Sequence, residues 1–243
     1  MASKANLVNL DAMISREDFS AQSDNDLSLE SIQNIAMRDI GMLSGLLRKP
    51  DFQRETNHWT PEQVVSLLKS FVTGDLIPSV ILWKSSFVFV IDGGHRLSVL
   101  RAWKENDYGD GTISQKFFGN SISGEQRKIA QKTRELVYST VGKWSEIERK
   151  MQDYNNDHDY SRRLTNIYVR ALQVQWVKGD SDKAETSFFN INKKGTPLDE
   201  VEETLLRHRK KPISIAARAI IRAGKGHRYW SSFPEDKTKK IEQ

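Results

Sequence analysis

The sequence predicts a mixed α/β (α+β) domain, a mixed sheet with flanking helices and a helical C-terminal part, and three observations carry that prediction. Two short β-type runs, 80–83 and 87–91, are separated by Lys84, Ser85 and Ser86, the pattern of a hairpin. Residues 171–177 set Leu172, Val174 and Trp176 against Gln173 and Gln175, the period of a half-buried strand in the same sheet. Between and after these runs, apolar residues recur at helical spacing, as in Val64, Leu67, Leu68 and Phe71.

Taken in order, residues 1–27 are polar without a sustained period and read as a mobile lead-in, with 20–28 rich in Ser, Asp, Asn and Gln. From Ser28, the spacing of Leu29, Ile32, Ile35 and Ala36 predicts a short helix before a break from Gly41 to Gly45. Thr60, Pro61 and Gln63 form a helix start, with Thr60 as cap and Gln63 completing a capping box, and Gly74 stops that helix. The hairpin follows, and its second strand runs into Asp92, Gly93 and Gly94. Leu97, Leu100, Arg101 and Trp103 then predict a helix to about Lys104, before a turn cluster at 106–111. In the middle, 125–135 and 145–154 read as helices and 136–141 as a strand. After the strand at 171–177, 182–190 reads as a helix, 192–197 as a polar loop, and 198–209 and 213–223 as two further helices, the last stopped by Gly224.

With 243 residues and 37% hydrophobic content, the chain is long enough for one large domain or two small ones, and we read one, spanning 28–206, with a basic helical segment at 207–243. No apolar run approaches the roughly 20 residues that span a bilayer, and no apolar signal segment follows Met1, so the expectation is a cytoplasmic protein without membrane partners. The absence of cysteine excludes disulfides, thiolate zinc sites and cysteine nucleophiles. The net charge of +5 is a mild bias toward polyanions, gathered late in Lys193 and Lys194, in 207–211 and in 237–240. Such clusters serve either as solvated faces or as phosphate-backbone contacts.

The chemistry concentrates where the second hairpin strand meets its helix. Backbone N–H groups and the positive end of a helix dipole converge at such a turn, and Gly93 and Gly94 carry no Cβ to keep an anion away. Arg96 offers a bidentate, always-charged contact and His95 a donor or proton-transfer group. Asp92 is placed to hold a metal ion or orient water. The plainer reading is a Gly-Gly turn with Asp92 as helix cap and Arg96 on the surface. Arg54, between Phe52 and Trp59, likewise reads either as a guanidinium packed on aromatic surface or as a pocket group.

Phe52, Gln53 and Arg54, then Trp59, then 77–83, then the run from Val90 to Leu100 through Asp92, Gly93, Gly94, His95 and Arg96, form an ordered series. That series resembles the N-terminal domains of GmrSD-type restriction systems, a branch of the ParB/sulfiredoxin superfamily. Their usual signature is Asp-Gly-Gln-Gln-Arg or Asp-Gly-Gln-His-Arg; Gly94 departs from the commoner glutamine and is closer to the sulfiredoxin phosphate loop. Residues 188–198 resemble the family's second motif, an Ile-Asn-x-x-Gly-Thr-Pro-Leu loop, with Lys194 where a small residue is more common. The resemblance covers roughly positions 46 to 206.

The resemblance implies a mixed sheet whose turn binds the phosphates of a nucleoside triphosphate, with Mg2+ at Asp92, in a component that senses or restricts DNA in antiviral defence. Carried over by position, Asp92, Gly93, Gly94, His95 and Arg96 surround the phosphates, with Asp92, His95 and Arg96 as the catalytic candidates. Gln53 and Arg54 approach from the side, and Asn190, Asn192, Lys193 and Gly195 close the pocket. Two functions stay open: an NTPase in a DNA-restriction system, or a non-catalytic ParB-like nucleotide-dependent switch or clamp on DNA. Gly94 leaves hydrolysis itself open, because a glutamine there would position water. No His-Asn-His nuclease motif is visible, and the expectation is that the nuclease is a partner subunit or a further domain, the chain being a fragment or its nuclease lying elsewhere.

Other candidates read as structural. The run Asp153, Asn155, Asp157 and Asp159 fails as a calcium loop because His158 replaces the turn glycine and Leu164 the final glutamate. His208 and His227 have no second ligand at metal spacing. Tyr229 and Trp230 are expected to anchor a terminal helix rather than stack on bases.

Overall fold

The computed structural model describes residues 6–17, 19, 32–50, 53, 56, 59–119, 122–152, 167–194, 200–208 and 211–223. Six strands form one mixed sheet: β1 (Arg16–Glu17), β2 (Asn34–Ala36), β3 (Leu47–Pro50), β4 (Val80–Lys84), β5 (Val88–Asp92) and β6 (Ala171–Val177), in the order β1-β3-β5-β4-β6-β2. Neighbours β1, β3 and β5 run parallel, β4 is antiparallel to β5 and parallel to β6, and β2 is antiparallel to β6. The carboxyl ends of β1, β2, β3 and β5 therefore share one edge with the starts of β4 and β6. That is the edge where open α/β sheets present their crevice.

Both faces of the sheet are covered, which explains why β5 reads as an unbroken apolar run rather than an alternating one. Val80, Leu82, Val88 and Val90 point into the larger core. That core is closed by α1 (Met37–Leu43), α2 (Pro61–Thr73), α3 (Gly94–Glu105), α5 (Gly124–Thr140) and α6 (Trp144–Gln152), with α4 (Thr112–Phe118) at its side. The alternate residues Trp83, Phe89 and Ile91 meet Phe19 and the aromatic face of α7 (Ser181–Lys194), with Leu206 of α8 (Glu200–Arg207). A last helix, α9, spans Pro212–Ala223.

Several expectations hold in detail. Thr60 Oγ accepts from the Gln63 amide at 3.3 Å while Gln63 Oε1 accepts from the Thr60 amide at 2.9 Å, closing the capping box of α2. Gly74 ends α2 in the left-handed region at φ 86°. The hairpin of β4 and β5 forms, and β6 joins the sheet beside β4, with Leu172 buried.

Other expectations are corrected. Ile35 and Ala36 lie in β2, not in a helix, because three residues of pairing with β6 outweigh a loose apolar spacing. Gly41 sits inside α1, beside the Lys104 ammonium, rather than breaking the chain. The expected strand at 136–141 is the end of α5 and its cap: Ala130, Thr133 and Val137 bury one helical stripe, so packing overrides the β propensity of the local residues. The loop expected from 192 is helical through Lys194.

Residues 6–17 were read as part of a mobile lead-in, yet Val8, Leu10, Met13 and Ile14 are buried and β1 pairs with β3. The stretches 20–31, 153–166, 195–199 and 224–243 lie outside the described residues, with the acidic run at 153–159, Gly224, Tyr229 and Trp230 among them. No helix among the described residues is long and apolar enough to cross a membrane.

Candidate functional site

β5 ends at Asp92, Gly93 caps the next helix, and α3 begins at Gly94, the strand, turn and helix start that the local pattern predicts. Gly93 adopts φ 90°, and a Cβ there would lie 2.6 Å from Val80 Cγ1, so both backbone and packing demand glycine. Gly94 differs: a Cβ would meet nothing nearer than Gln53 Oε1 at 3.6 Å, an ordinary contact. Glycine gives α3 no side-chain cap, so its N-terminal amides keep the dipole end available. Both glycines are buried, and the partly buried Asp92, His95 and Arg96 stand around them.

Asp92 does not cap the helix, and Arg96 is not a surface residue. Arg96 Nη2 donates to Asp92 Oδ2 at 2.6 Å and to the Ser79 carbonyl at 3.1 Å, with its side chain only 16% exposed. Its Nε is buried and without an acceptor. Across the turn, Gln53 Nε2 donates to the carbonyls of Val90 at 3.1 Å and Ile91 at 3.3 Å. Two carbonyl acceptors fix the amide's orientation, which leaves Oε1 buried, without a donor, toward Gly94. The His95 imidazole stacks on Trp59, ring centroids 5.4 Å apart and planes 20° from parallel.

What holds Gln53 there was not visible in the sequence. Asp11 and Lys49, each 1% exposed, form a buried ion pair, and Asp11 Oδ1 also accepts from Arg16 at 3.1 Å and from the Thr56 amide at 3.1 Å. Lys49 Nζ reaches Thr56 Oγ1 at 3.1 Å, and Arg16 Nη1 donates to the Gln53 carbonyl at 2.5 Å. The segment that carries Gln53 is thus fastened to the N-terminal stretch. The one local signal was Asp11 itself, a carboxylate in the stretch from Leu7 to Ile14, where Asn9 is the other polar residue.

Of the predicted site residues, the fold brings together Gln53, Asp92, Gly93, Gly94, His95 and Arg96. Asn190 is exposed on α7 and makes no hydrogen bond or ring contact with the turn. Asn192 and Lys193 lie in the last turn of α7, while Arg54 and Gly195 fall outside the described residues. Among the described residues, no three His, Asp or Glu side chains gather as a metal cluster. At the turn itself, the carboxylate among the described residues is that of Asp92.

Comparison with curated proteins and with solved structures finds no match. Comparison with protein-family models matches residues 32–208, most of the chain, to the family described as GmrSD restriction endonuclease, N-terminal domain. The matched span takes in all of β2 to α8 and, within it, the 92–96 turn and the segment that carries Gln53. The chain belongs to the GmrSD restriction endonuclease N-terminal domain family and is a component of a restriction system.

Proposed function

We propose that the chain binds a nucleoside triphosphate over the 92–96 turn and couples its occupancy to the sensing or restriction of DNA, with cleavage supplied by a partner nuclease subunit or domain. The observation that carries this reading is a pair of buried groups at the glycine pair that find no partner among the described residues: the Arg96 Nε donor and, toward Gly94, the Gln53 Oε1 acceptor. Buried polar atoms without partners are costly, and a ligand bearing both acceptor and donor atoms relieves both. A phosphate oxygen suits Arg96, and a ribose hydroxyl, water or cation suits Gln53 Oε1.

Mg2+ fits the donor set through the Asp92 carboxylate, which accepts only from Arg96 among the described residues. Bound there, it would supply charge neutralisation to the phosphates. The chain's own groups do the remainder: Arg96 orients the phosphate, α3 directs its dipole at it, and Trp59 holds the His95 ring in place.

Two observations favour binding without rapid turnover as the second reading. Gly94 departs from the glutamine of the signature that the sequence resembles, and the Asp92 carboxylate is engaged by Arg96. Calorimetry against the four ribonucleoside triphosphates with Mg2+, followed by phosphate release with and without duplex DNA, separates the readings. Turnover lost in Arg96→Ala supports an NTPase; micromolar binding without turnover supports a switch. Failure of all four nucleotides to bind would sink the proposal.

A further inference from the structure

A cleft that holds an arginine lies on the same edge of the sheet. The start of β6 and the end of α2 enclose a cleft of about 400 Å³ lined by Phe71, Gly74, Asp75, Leu76, Arg170 and Gln173, among others. Arg170 lies flat against Gly74: a Cβ built on that glycine would be 2.0 Å from Nη1 and 2.5 Å from Cζ. The glycine required by the left-handed end of α2 therefore also makes the slot that fixes the guanidinium.

Within that slot Arg170 is half-buried, its Nε is buried without an acceptor, and it makes no hydrogen bond or ion pair with the described residues. Asp75 lines the same cleft yet forms no ion pair with it; its carboxylate accepts from Thr73 Oγ1 at 2.9 Å. A guanidinium held in place with a buried, unmet N–H is suited to a carboxylate or phosphate as its partner. The weak negative end of α2 compensates it only in part.

The cleft and the turn both lie beside the start of β4. Val80 pairs with Val174 of β6, while the carbonyl of Ser79 takes Arg96 Nη2, so Arg96 and Arg170 stand on either side of the same strand start. We propose that the Arg170 cleft is an anion site for a phosphate group, carried either by a nucleotide's polyphosphate or by a nucleic-acid backbone. The site stands on its own geometry and does not require the nucleotide reading of the 92–96 turn.

The test uses the full 243-residue chain and its Arg170→Gln variant. Three arms are measured: ATP by calorimetry, inorganic pyrophosphate by calorimetry, and a fluorescein-labelled DNA duplex by anisotropy across a salt series. Loss of about tenfold in affinity in at least one arm is expected. Loss in the ATP and pyrophosphate arms alone identifies the nucleotide's phosphates. Loss in the duplex arm, with the salt slope reduced by about 0.9, identifies one backbone phosphate.

Affinities within twofold of wild type in all three arms overturn the proposal, whatever happens to the melting temperature, and leave Arg170 as a cap for α2. If Arg170→Gln does not fold, Arg170→Met carries the test, since it keeps an unbranched apolar stem and removes the charge; unchanged affinity in every arm then overturns it. Arg96→Ala in the same arms separates the two sites: loss there with none at Arg170 removes this site and leaves the turn.

Discussion

Two turns flank α3, both built from an aspartate and a pair of glycines, and they differ in what their polar groups do. After the helix, Asp107 is 1% exposed and fully occupied. Its Oδ1 accepts from the amides of Gly109 at 3.1 Å and Gly111 at 2.9 Å and from Ser114 Oγ at 2.7 Å, and its Oδ2 from the Ser114 amide at 2.8 Å. The space around it is closed, since a Cβ on Gly111 would sit 2.7 Å from Asp107 Cγ and one on Gly109 2.6 Å from the Asn9 carbonyl. Before the helix, among the described residues, Asp92 has one partner, Gly94 has room for a Cβ, and Gln53 Oε1 and Arg96 Nε go unmet. Residue type does not separate the two turns; the degree of hydrogen-bond satisfaction does.

If that comparison is right, mutation should divide the two turns between stability and binding. The largest effect is expected at Asp107→Ala, which strands four donors, three of them backbone amides. A loss of at least about 3 kcal/mol in urea unfolding is expected, with nucleotide affinity of the folded fraction unchanged. A loss under about 1 kcal/mol would mean that the turn is not the anchor described here.

Next come the adjacent glycines, which should respond in opposite directions. Gly93→Ala meets Val80 and a positive φ, and is expected to cost about 1–3 kcal/mol. Gly94→Ala enters a helical position with an ordinary contact and is expected to be neutral or to stabilise by up to about 1 kcal/mol. Equal destabilisation at both would show that the space beside Gly94 is not available.

Arg96→Ala removes a partly exposed ion pair, so its effect on unfolding should stay within about 1 kcal/mol while nucleotide affinity falls at least about tenfold. A large loss of stability with intact binding would reverse the roles assigned to the two turns.

The smallest effect concerns a surface pair that joins α2 to α5. The hydrogen bond from Lys132 at 2.8 Å is the main reason that Glu62 is lowered to about 2 from its usual 4.5. Because the folded value is depressed, the pair's contribution is present above about pH 4.5 and is lost as pH falls from 4.5 toward 2. Both side chains are more than half exposed, so solvent screening limits the contribution to a few tenths of a kcal/mol. Wild type minus Glu62→Gln, followed by thermal unfolding between pH 2 and 7, should show that small difference vanish at the acid end and in high salt.

Much of this was readable before any coordinates. The capping box at Thr60, the hairpin of β4 and β5, the strand at 171–177 and the turn from Asp92 into α3 are all local, each written in a few consecutive residues as a cap, a period or a glycine. Part of the series that resembles the family, 80–83 and 90–100, lies on those same local elements. Where the reading failed, at 136–141 and at 35–36, the apolar spacing was too short to fix its own period, and neighbours from α2 and β6 decided it.

By itself, then, the sequence determined that a strand delivers two glycines and a basic helix start to one edge of a mixed sheet. Only the tertiary structure decided how that edge is furnished. The N-terminal stretch enters the core, Asp11 pairs with Lys49 38 positions later and with the Thr56 amide 45 positions later, Gln53 turns its acceptor toward Gly94, and Arg170 arrives beside Gly74. The physical reason is range: helix caps and strand periods are stabilised by neighbours in the chain. A buried charge or an oriented amide is stabilised by partners tens of residues away, which leave no periodic mark in the sequence around it.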